Sequence, residues 1–361
     1  MPTKPLNRSL GAARATKQDE LASRAGRIKM AREGSNKYLH KAKSEKNDEF
    51  YTILADIEKE LRHYKKHFKD KTVLCNCDDP KVSNFFVYFS FNFGQLGLKK
   101  LITTCYKNCD ADLFSKHTEE NGIYLEYDGD KNDNRVPDPE EIGIHKLRGD
   151  GDFRSEECIK LLKQADIVVT NPPFSLFREY VAQLVEHRKK FLIIATWNAM
   201  SYKEIFELVR ENKIWIGINS NRNFSGFIVP KHYPLHGTEA RVDEHGNRIV
   251  SSNNTCWLTN MDVAKRHEEL ILYKKYTETG YPKYDNYDAI EVSKTADIPM
   301  DYDGAMGVPI TFLDKYNPAQ FSILGIDRPL VEELTGKVSR FRLNGREIYA
   351  RVVIKNKRPT K

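Results

Sequence analysis

The chain has 361 residues, of which 40% are hydrophobic and 30% charged, with 18 Tyr, 18 Phe and 3 Trp. This is enough apolar material for a sizeable core, which excludes wholesale disorder. No apolar run approaches the ~20 residues of a membrane span, and the polar, basic start lacks a secretory signal, so we expect a cytoplasmic protein with no membrane partner. The six cysteines form no C-x-x-C pair, which favours reduced thiols and predicts no metal site.

The net charge of +7 is unevenly distributed. Residues 1–46 hold 12 Lys and Arg against 4 Asp and Glu, and residues 337–361 hold 9 against 1, whereas the segment between them is acidic. Basic ends suit a polyanion, because each phosphate that they neutralise releases counterions. Solvated tails without a partner would have the same composition, so charge alone leaves both interpretations open.

Strand-like and helix-like segments alternate along most of the chain. The predicted elements are a helix over 53–68, a strand over 72–77, a helix over 83–93, strands over 100–104, 123–127 and 144–147, a helix over 155–164, a strand over 166–170, a helix over 176–187, a strand over 191–196, a helix over 202–211, and strands over 214–218 and 255–259. Ser155 stands where it can cap the helix that follows it. The alternation predicts a doubly wound α/β sheet, in which ligands bind at the carboxyl ends of the strands.

The tetrapeptide Asn171-Pro172-Pro173-Phe174 directly follows the apolar run 166–170. It resembles the catalytic motif of amino-group methyltransferases that use S-adenosylmethionine. The exocyclic amine of a purine is a poor nucleophile, because its lone pair is delocalised into the ring. The Asn171 oxygen and the Pro172 carbonyl would draw the amine towards a tetrahedral geometry, and Phe174 would stack on an extruded base. A proline-rich turn with a buried Phe is the structural alternative.

Longer stretches resemble the EcoRI family of adenine-specific DNA methyltransferases. They are residues 36–43, 48–52, 75–86 and 301–318, and the resemblance covers roughly residues 36–350. It implies transfer of methyl from S-adenosylmethionine to the N6 amine of a flipped adenine, in a Rossmann-like doubly wound methyltransferase sheet with an appended target-recognition region. Double-stranded DNA is the implied partner, and a cognate restriction endonuclease acting on the same site would be a second one.

The resemblance also assigns site residues. It gives catalytic roles to Asn171, Pro172, Pro173 and Phe174, and cofactor-binding roles to Phe50, Tyr51, Thr52, Asp78, Asp79, Pro80, Asp152 and Phe153. Helix capping would also explain Asp78, and a turn would also explain the Asp-Gly sequence before Phe153. The usual Gly-rich turn after the first strand is replaced by Val82-Ser83-Asn84, and the second strand ends without an acidic residue. The sequence therefore does not identify the contacts to the cofactor ribose.

Two sets of residues are candidates for contacts with DNA. Arg222 and Asn223 lie in a loop that combines Arg, Asn and aromatic residues, the types that contact base edges and phosphates, although an ordinary turn has a similar composition. Arg340 and Arg342 belong to a basic set that alternates with apolar residues like a strand pair, with Asn344-Gly345 as its hairpin turn.

Four segments follow from these assignments. They are a basic arm at 1–36, an S-adenosylmethionine-dependent catalytic domain at 37–218, a target-recognition region at 219–336 with a core strand near 255–259, and a basic C-terminal segment at 337–361.

Other reactions remain compatible with the motif. Methylation of cytosine N4, of an RNA base or of a protein glutamine amide would need the same acceptors, and a non-catalytic DNA-binding relative could keep the fold. Asn at the first motif position favours adenine through the family resemblance, and the intact motif argues against a non-catalytic protein. The sequence does not specify the DNA target.

Overall fold

The computed structural model describes residues 50–77, 83–104, 122–134, 137–138, 140–220, 224–229, 235, 240–250 and 254–360. The chain divides into two units, residues 1–48 and 49–361, and the description concerns only the second. The predicted arm at 1–36 and the candidate residues Asp78, Asp79, Pro80, Arg222 and Asn223 lie outside the described residues.

The described elements match most of the predicted ones to within two residues. The α-helices are α1 (Leu54–Leu61), α2 (Lys65–Phe68), α3 (Asn84–Phe91), α4 (Phe93–Leu96), α5 (Glu156–Gln164), α6 (Phe177–Glu186), α7 (Lys203–Arg210) and α8 (Asp327–Thr335). The strands are β1 (Tyr51–Thr52), β2 (Thr72–Asn76), β3 (Lys100–Thr104), β4 (Ile123–Tyr127), β5 (Ile142–Lys146), β6 (Ile167–Thr170), β7 (Lys190–Thr196), β8 (Trp215–Ser220), β9 (Phe227–Val229), β10 (Arg241–Val242), β11 (Arg248–Val250), β12 (Thr255–Thr259), β13 (Ile290–Glu291), β14 (Met306–Pro309), β15 (Phe321–Ile326), β16 (Arg342–Leu343), β17 (Arg346–Glu347) and β18 (Arg351–Asn356). No described helix combines the length and the apolar composition that a membrane span requires.

The prediction of one helix over 53–68 is wrong, because the chain turns between α1 and α2. There the N–H groups of His63 and Tyr64 donate to the carbonyls of Glu60 and Leu61, which is the tighter i to i−3 pattern. The turn allows both Tyr64 and Phe68 to be fully buried. The cap predicted at Ser155 is confirmed, since its hydroxyl accepts a hydrogen bond from the Cys158 N–H at 3.2 Å.

An eight-stranded mixed sheet forms the centre of the fold, in the order β5-β4-β3-β2-β6-β7-β12-β8. Strands β3, β2, β6 and β7 are parallel, whereas β4 and β12 are antiparallel to the strands beside them. The strand order reverses between β2 and β6, so their carboxyl ends form the crevice in which α/β sheets bind ligands.

Alternating side chains of the parallel strands fill two separate cores, one on each face of the sheet. Val168 and Ile193 belong to one core, and their neighbours Val169 and Ile194 belong to the other. All four are fully buried. Strands buried on both faces explain the unbroken apolar runs in the sequence.

Three small sheets complete the fold, built from the later strands together with β1. The orders are β1-β9-β11-β10, β13-β14-β18-β15 and the hairpin β16-β17. Strand β18, from the predicted basic C-terminal segment, lies between β14 and β15 from the predicted recognition region. The hairpin turn predicted at Asn344-Gly345 is confirmed, because both residues have the positive φ (50° and 75°) that a two-residue turn of this kind requires.

Gly217 in β8 provides a test of packing between the sheet and α1. A Cβ atom at this position would lie 2.4 Å from Glu60 Oε1 and 2.7 Å from Trp257 Cβ, both of which are buried. We expect Gly217→Ala to lower the free energy of unfolding by about 1–3 kcal/mol through overpacking. Gly94→Ala in α4 is the matched control, since no atom lies within 4 Å of the added Cβ, and it should be neutral or stabilising by about 0.5–1 kcal/mol. Urea unfolding followed by circular dichroism measures both, and equal stabilities of the two variants would contradict the assignment.

Candidate active site

The carboxyl ends of β2 and β6 are joined by side chains. The Thr170 hydroxyl, at the end of β6, donates to the backbone carbonyl of Asn76 at the end of β2. The Asn76 side-chain oxygen accepts a second hydrogen bond from the Tyr180 hydroxyl of α6 at 2.5 Å. Complete burial holds the pKa of Tyr180 well above 10, so its phenol remains a donor. These contacts fix the crevice from which the Asn171–Phe174 motif begins.

Asn171 is 7% exposed, and its two side-chain polar atoms have different surroundings. Its Nδ2 donates to the backbone carbonyl of Phe50 at 2.5 Å. Its Oδ1 is buried and has no hydrogen-bond partner within the described part of the chain. Because a buried acceptor without a partner is costly, such an atom is a feature that requires an explanation.

The segment Phe50–Thr52, predicted to bind the cofactor, lies beside the motif. Besides the bond between Asn171 and Phe50, the Thr52 carbonyl accepts from Asn84 Nδ2 at 2.8 Å, which joins this segment to the first turn of α3. The Thr52 Oγ1 atom is buried, and among the described residues it has no hydrogen-bond partner. The segment therefore lies between the start of α3, which follows β2, and the end of β6.

Three aromatic rings surround this junction. The Phe50 and Phe174 ring centroids are 6.5 Å apart, and the Phe227 ring meets each of them edge to face, at 5.9 and 6.4 Å. Phe227 reaches this position because Thr52 in β1 pairs with it in β9. Pro173 has φ −61° in extended backbone, and the short 3₁₀ turn Phe174–Leu176 begins directly after it.

Asp152 and Phe153 reach the same strand ends through Tyr180. The Phe153 ring is buried and lies edge to face on the Tyr180 ring at 5.0 Å, and Tyr180 in turn binds Asn76. The Asp152 carboxylate accepts two bonds from the Arg154 guanidinium, at 3.0 and 2.7 Å, which lower the pKa of Asp152. Phe153 is thus separated from the strand ends by the Tyr180 side chain, and Asp152 is held by Arg154.

The two C-terminal arginines differ in their surroundings. Arg340 Nη1 donates to Asp327 at 3.2 Å, and this carboxyl group is almost completely buried. Arg342 is half exposed on the hairpin, with its guanidinium 3.8 Å from the Glu347 carboxylate. The hairpin tip is held in place by Asp285, whose carboxylate accepts the backbone N–H groups of Asn344 and Gly345.

The structure therefore brings Phe50, Thr52, Asn171 and Phe174 together, whereas Arg342 lies on a separate hairpin and Arg340 precedes that hairpin. Sequence reasoning did not single out Asn84, Tyr180 or Phe227 as individual site residues. The sequence contained one indication for Asn84, because this residue stands where other methyltransferases have a Gly-rich turn. The position of Phe227 depends on strand pairing across more than 170 residues, for which a single sequence contains no signal.

Comparison with known proteins agrees with the resemblance found in the sequence. Residues 38–357 match the family model described as adenine-specific methyltransferase EcoRI. The chain is 56% identical over 331 residues to the Type II methyltransferase M.EcoRI of Escherichia coli, covering 91% of this chain and 99% of that protein. It is also 40% identical to the Type II methyltransferase M.MgeORF184P of Mycoplasma genitalium, covering 88% of this chain and 98% of that protein. The identity to the Type II methyltransferase M.MpnI of Mycoplasma pneumoniae is 37%, covering 89% of this chain and 98% of that protein. No solved structure matches the chain significantly. The chain therefore belongs to the EcoRI family of adenine-specific methyltransferases.

Proposed function

We propose that this DNA adenine methyltransferase transfers a methyl group from S-adenosylmethionine to the N6 amine of an adenine that has left the duplex. Family membership supports the substrate base and the reaction. The Type II names of the relatives support a role in restriction and modification, with a cognate endonuclease as the expected partner.

The unpartnered Oδ1 atom of Asn171 is the single observation that carries this proposal. The bond from Nδ2 to the Phe50 carbonyl fixes the orientation of the amide, so the oxygen is the atom left to accept a hydrogen bond from a substrate. An acceptor held in advance does not reorganise during the reaction, which is where preorganised polar groups gain their effect. In this proposal Asn171 Oδ1 and the Pro172 carbonyl accept hydrogen bonds from the two N6–H groups, which makes the nitrogen lone pair available.

The aromatic rings beside the motif suit a flat base. Phe174 is half-buried, and Phe50 and Phe227 pack around it. Stacking on an aromatic face contributes about 1–3 kcal/mol per base, which offsets part of the cost of unstacking an adenine from the duplex. We therefore assign Phe174 the role of stacking on the base. Pro173 would fix the backbone conformation that leads into Phe174.

The surroundings of Thr52 fit a polar, amino-acid-like part of the cofactor. Its buried hydroxyl has no partner among the described residues, and such groups in native proteins commonly await a ligand or a water molecule. Phe50, Tyr51 and Thr52 would hold the methionine part of S-adenosylmethionine, Asp78, Asp79 and Pro80 would bind from the end of β2, and Asp152 and Phe153 would contact its adenine. When bound, S-adenosylmethionine supplies an electrophilic methyl group on a positively charged sulfur.

The sheet topology supports the Rossmann-like, doubly wound part of the proposal. Strand order reverses between β2 and β6, and the motif follows β6 at that point. We assign target recognition to residues 219–336 and contacts with DNA to Arg222, Asn223 and Arg342, whereas Arg340, which the sequence also placed among the DNA contacts, is bonded to the buried carboxyl group of Asp327. Of these, Arg342 has a half-exposed guanidinium on a hairpin whose tip is bonded to Asp285, which suits a phosphate contact.

Methylation assays test the reaction directly. Duplex DNA without prior adenine methylation, single-stranded DNA, RNA and a protein mixture should each be incubated with tritiated S-adenosylmethionine. We expect label in duplex DNA, and N6-methyladenine after digestion to nucleosides. Label in RNA or protein, or N4-methylcytosine in the digest, would contradict the proposal, and modified-base sequencing of a plasmid would identify the target.

Asn171 is the residue whose loss should matter most to turnover. We expect Asn171→Ala to reduce turnover by about a hundredfold or more, because one preorganised acceptor is lost from the reacting amine. Asn171→Asp keeps an acceptor but places a carboxylate against the Phe50 carbonyl, so its turnover should lie between those of the wild type and Asn171→Ala. Binding of S-adenosylhomocysteine, measured by calorimetry, checks that the cofactor site is intact in both variants. Near-normal turnover of Asn171→Ala with cofactor binding retained would remove the proposed role.

Arg342 and Arg340 should respond differently to the same substitution. Arg342→Gln should weaken DNA binding and reduce the slope of log affinity against log salt by about 1, because one phosphate contact is lost. Arg340→Gln should instead lower the free energy of unfolding by about 1–3 kcal/mol, because it leaves the buried Asp327 without its cation. Fluorescence anisotropy with labelled duplex and urea unfolding separate the two effects. A salt slope unchanged in Arg342→Gln would exclude this residue from the DNA interface.

A further inference from the structure

The short segment 224–229 contributes two aromatic rings to the site, and they face different neighbours. The Phe224 ring stacks on Trp257 of β12, with centroids 5.9 Å apart and planes 30° apart. The Phe227 ring lies edge to face on Phe174 of the motif at 6.4 Å. Trp257 is fully buried, so Phe224 covers the sheet at this point. The placement of this segment therefore decides the shape of the wall beside the motif.

A single carboxylate of α1 holds the segment between these two rings. Asp56 Oδ2 accepts from the Ser225 N–H at 2.7 Å, and Asp56 Oδ1 accepts from the Ser225 hydroxyl at 2.9 Å. Arg241 donates to the Ser225 carbonyl at 2.8 Å. All the hydrogen-bonding groups of Ser225 are thereby engaged, two of them by Asp56, which is 4% exposed.

The backbone beside Ser225 leaves no room for a side chain at the next residue. Gly226 has φ +118°, and a Cβ atom there would lie 2.6 Å from the Val250 carbonyl oxygen. Only glycine fits at this position, because the backbone has a positive φ and lies in close contact with β11. The direction in which Phe227 enters β9 is thus set by Asp56 on one side and by β11 on the other.

A second carboxylate, one turn further along α1, holds the chain before this segment. Glu60 accepts from the N–H groups of Ile218 and Asn219 at 2.7 Å each, and from Asn219 Nδ2 at 2.8 Å. Residues 56 and 60 are four apart, so they lie on the same face of the helix. The end of β8 and the chain that enters β9 are therefore fastened to one helix face.

Burial acts against the ionised forms of both carboxyl groups. Burial raises the pKa of Asp56 and the pKa of Glu60 above their ordinary values, against the opposing effect of their hydrogen bonds. For an acid whose pKa is raised in the folded state, the stability contribution declines as pH rises through the unfolded and then the folded pKa. What these carboxyl groups contribute is therefore the geometry that their hydrogen bonds hold.

We propose that Asp56 is a positioning residue for methyl transfer, which holds Phe224 on Trp257 and Phe227 against Phe174 before the target base arrives. This inference rests on the proposed function, since it assigns the two rings to the wall of the base site. Asp56 acts through Ser225 and touches no reacting atom.

Variants on the same helix test the role of Asp56. We expect Asp56→Ala to lower kcat by about 10- to 100-fold, because a small displacement of a positioning element has effects of this size. Affinity for S-adenosylhomocysteine should change by less than about twofold, and the near-ultraviolet circular dichroism to which Trp257 contributes should change. Asp56→Asn keeps an oxygen for the Ser225 N–H and should restore most of the activity. Glu58→Ala is the matched control, because Glu58 is an exposed carboxylate on the same helix.

Ser225→Ala keeps the test decisive if Asp56→Ala does not fold. It removes only the hydroxyl contact and should lower kcat less than Asp56→Ala, and the double variant should be no worse than Asp56→Ala alone. If Asp56→Ala or Ser225→Ala matched Glu58→Ala in kcat and in the near-ultraviolet spectrum, the inference would be overturned. A wild-type protein that methylates no DNA would overturn the proposed function instead, and the spectra would still decide whether Asp56 positions the rings.

Discussion

The hydrogen bond between the Asn171 amide and the Phe50 carbonyl is the contact on which the site depends. It joins two residues that are 121 positions apart and settles which end of the amide faces inward. With Nδ2 committed to Phe50, Oδ1 is the acceptor that remains, buried and without a described partner. A buried acceptor of this kind is unfavourable in the protein alone and becomes favourable when a substrate N–H reaches it. The unpaired oxygen of Asn171 is therefore both the source of the energetic cost in the free protein and the group to which we assign the function.

The stretch from Phe50 to Glu60 explains how such a contact is maintained. Its backbone accepts bonds from Asn171 and Asn84, and its carboxylates Asp56 and Glu60 hold the chain on either side of the β8 to β9 connection. An extended segment followed directly by a helix suits this task, because the strand offers backbone groups and the helix repeats side chains every four residues. One short stretch of chain thus positions elements that come from three distant parts of the sequence.

Local patterns were sufficient for most elements of the sheet. The apolar run at 166–170 identified a strand buried on both faces, Ser155 identified a helix start, and Asn344-Gly345 identified a hairpin. Each of these depends on neighbours within a few residues, so one sequence contains the whole signal. The break between α1 and α2 was missed because periodicity alone continues across it. The turn is stabilised by burial of Tyr64 against Glu60, and the partners of that carboxylate lie in β8.

The sequence by itself determined that the chain has alternating strands and helices, and that an Asn-Pro-Pro-Phe motif of the EcoRI methyltransferase family follows a buried strand. Only the tertiary structure decided which atoms of that motif remain available, which aromatic ring of 224–229 meets Phe174, and that Arg340 is committed to Asp327 while Arg342 stays half exposed. The physical reason is that hydrogen bonds and burial depend on partners brought together from distant positions. Two arginines with the same local pattern therefore differ once the fold supplies one of them with a buried carboxylate.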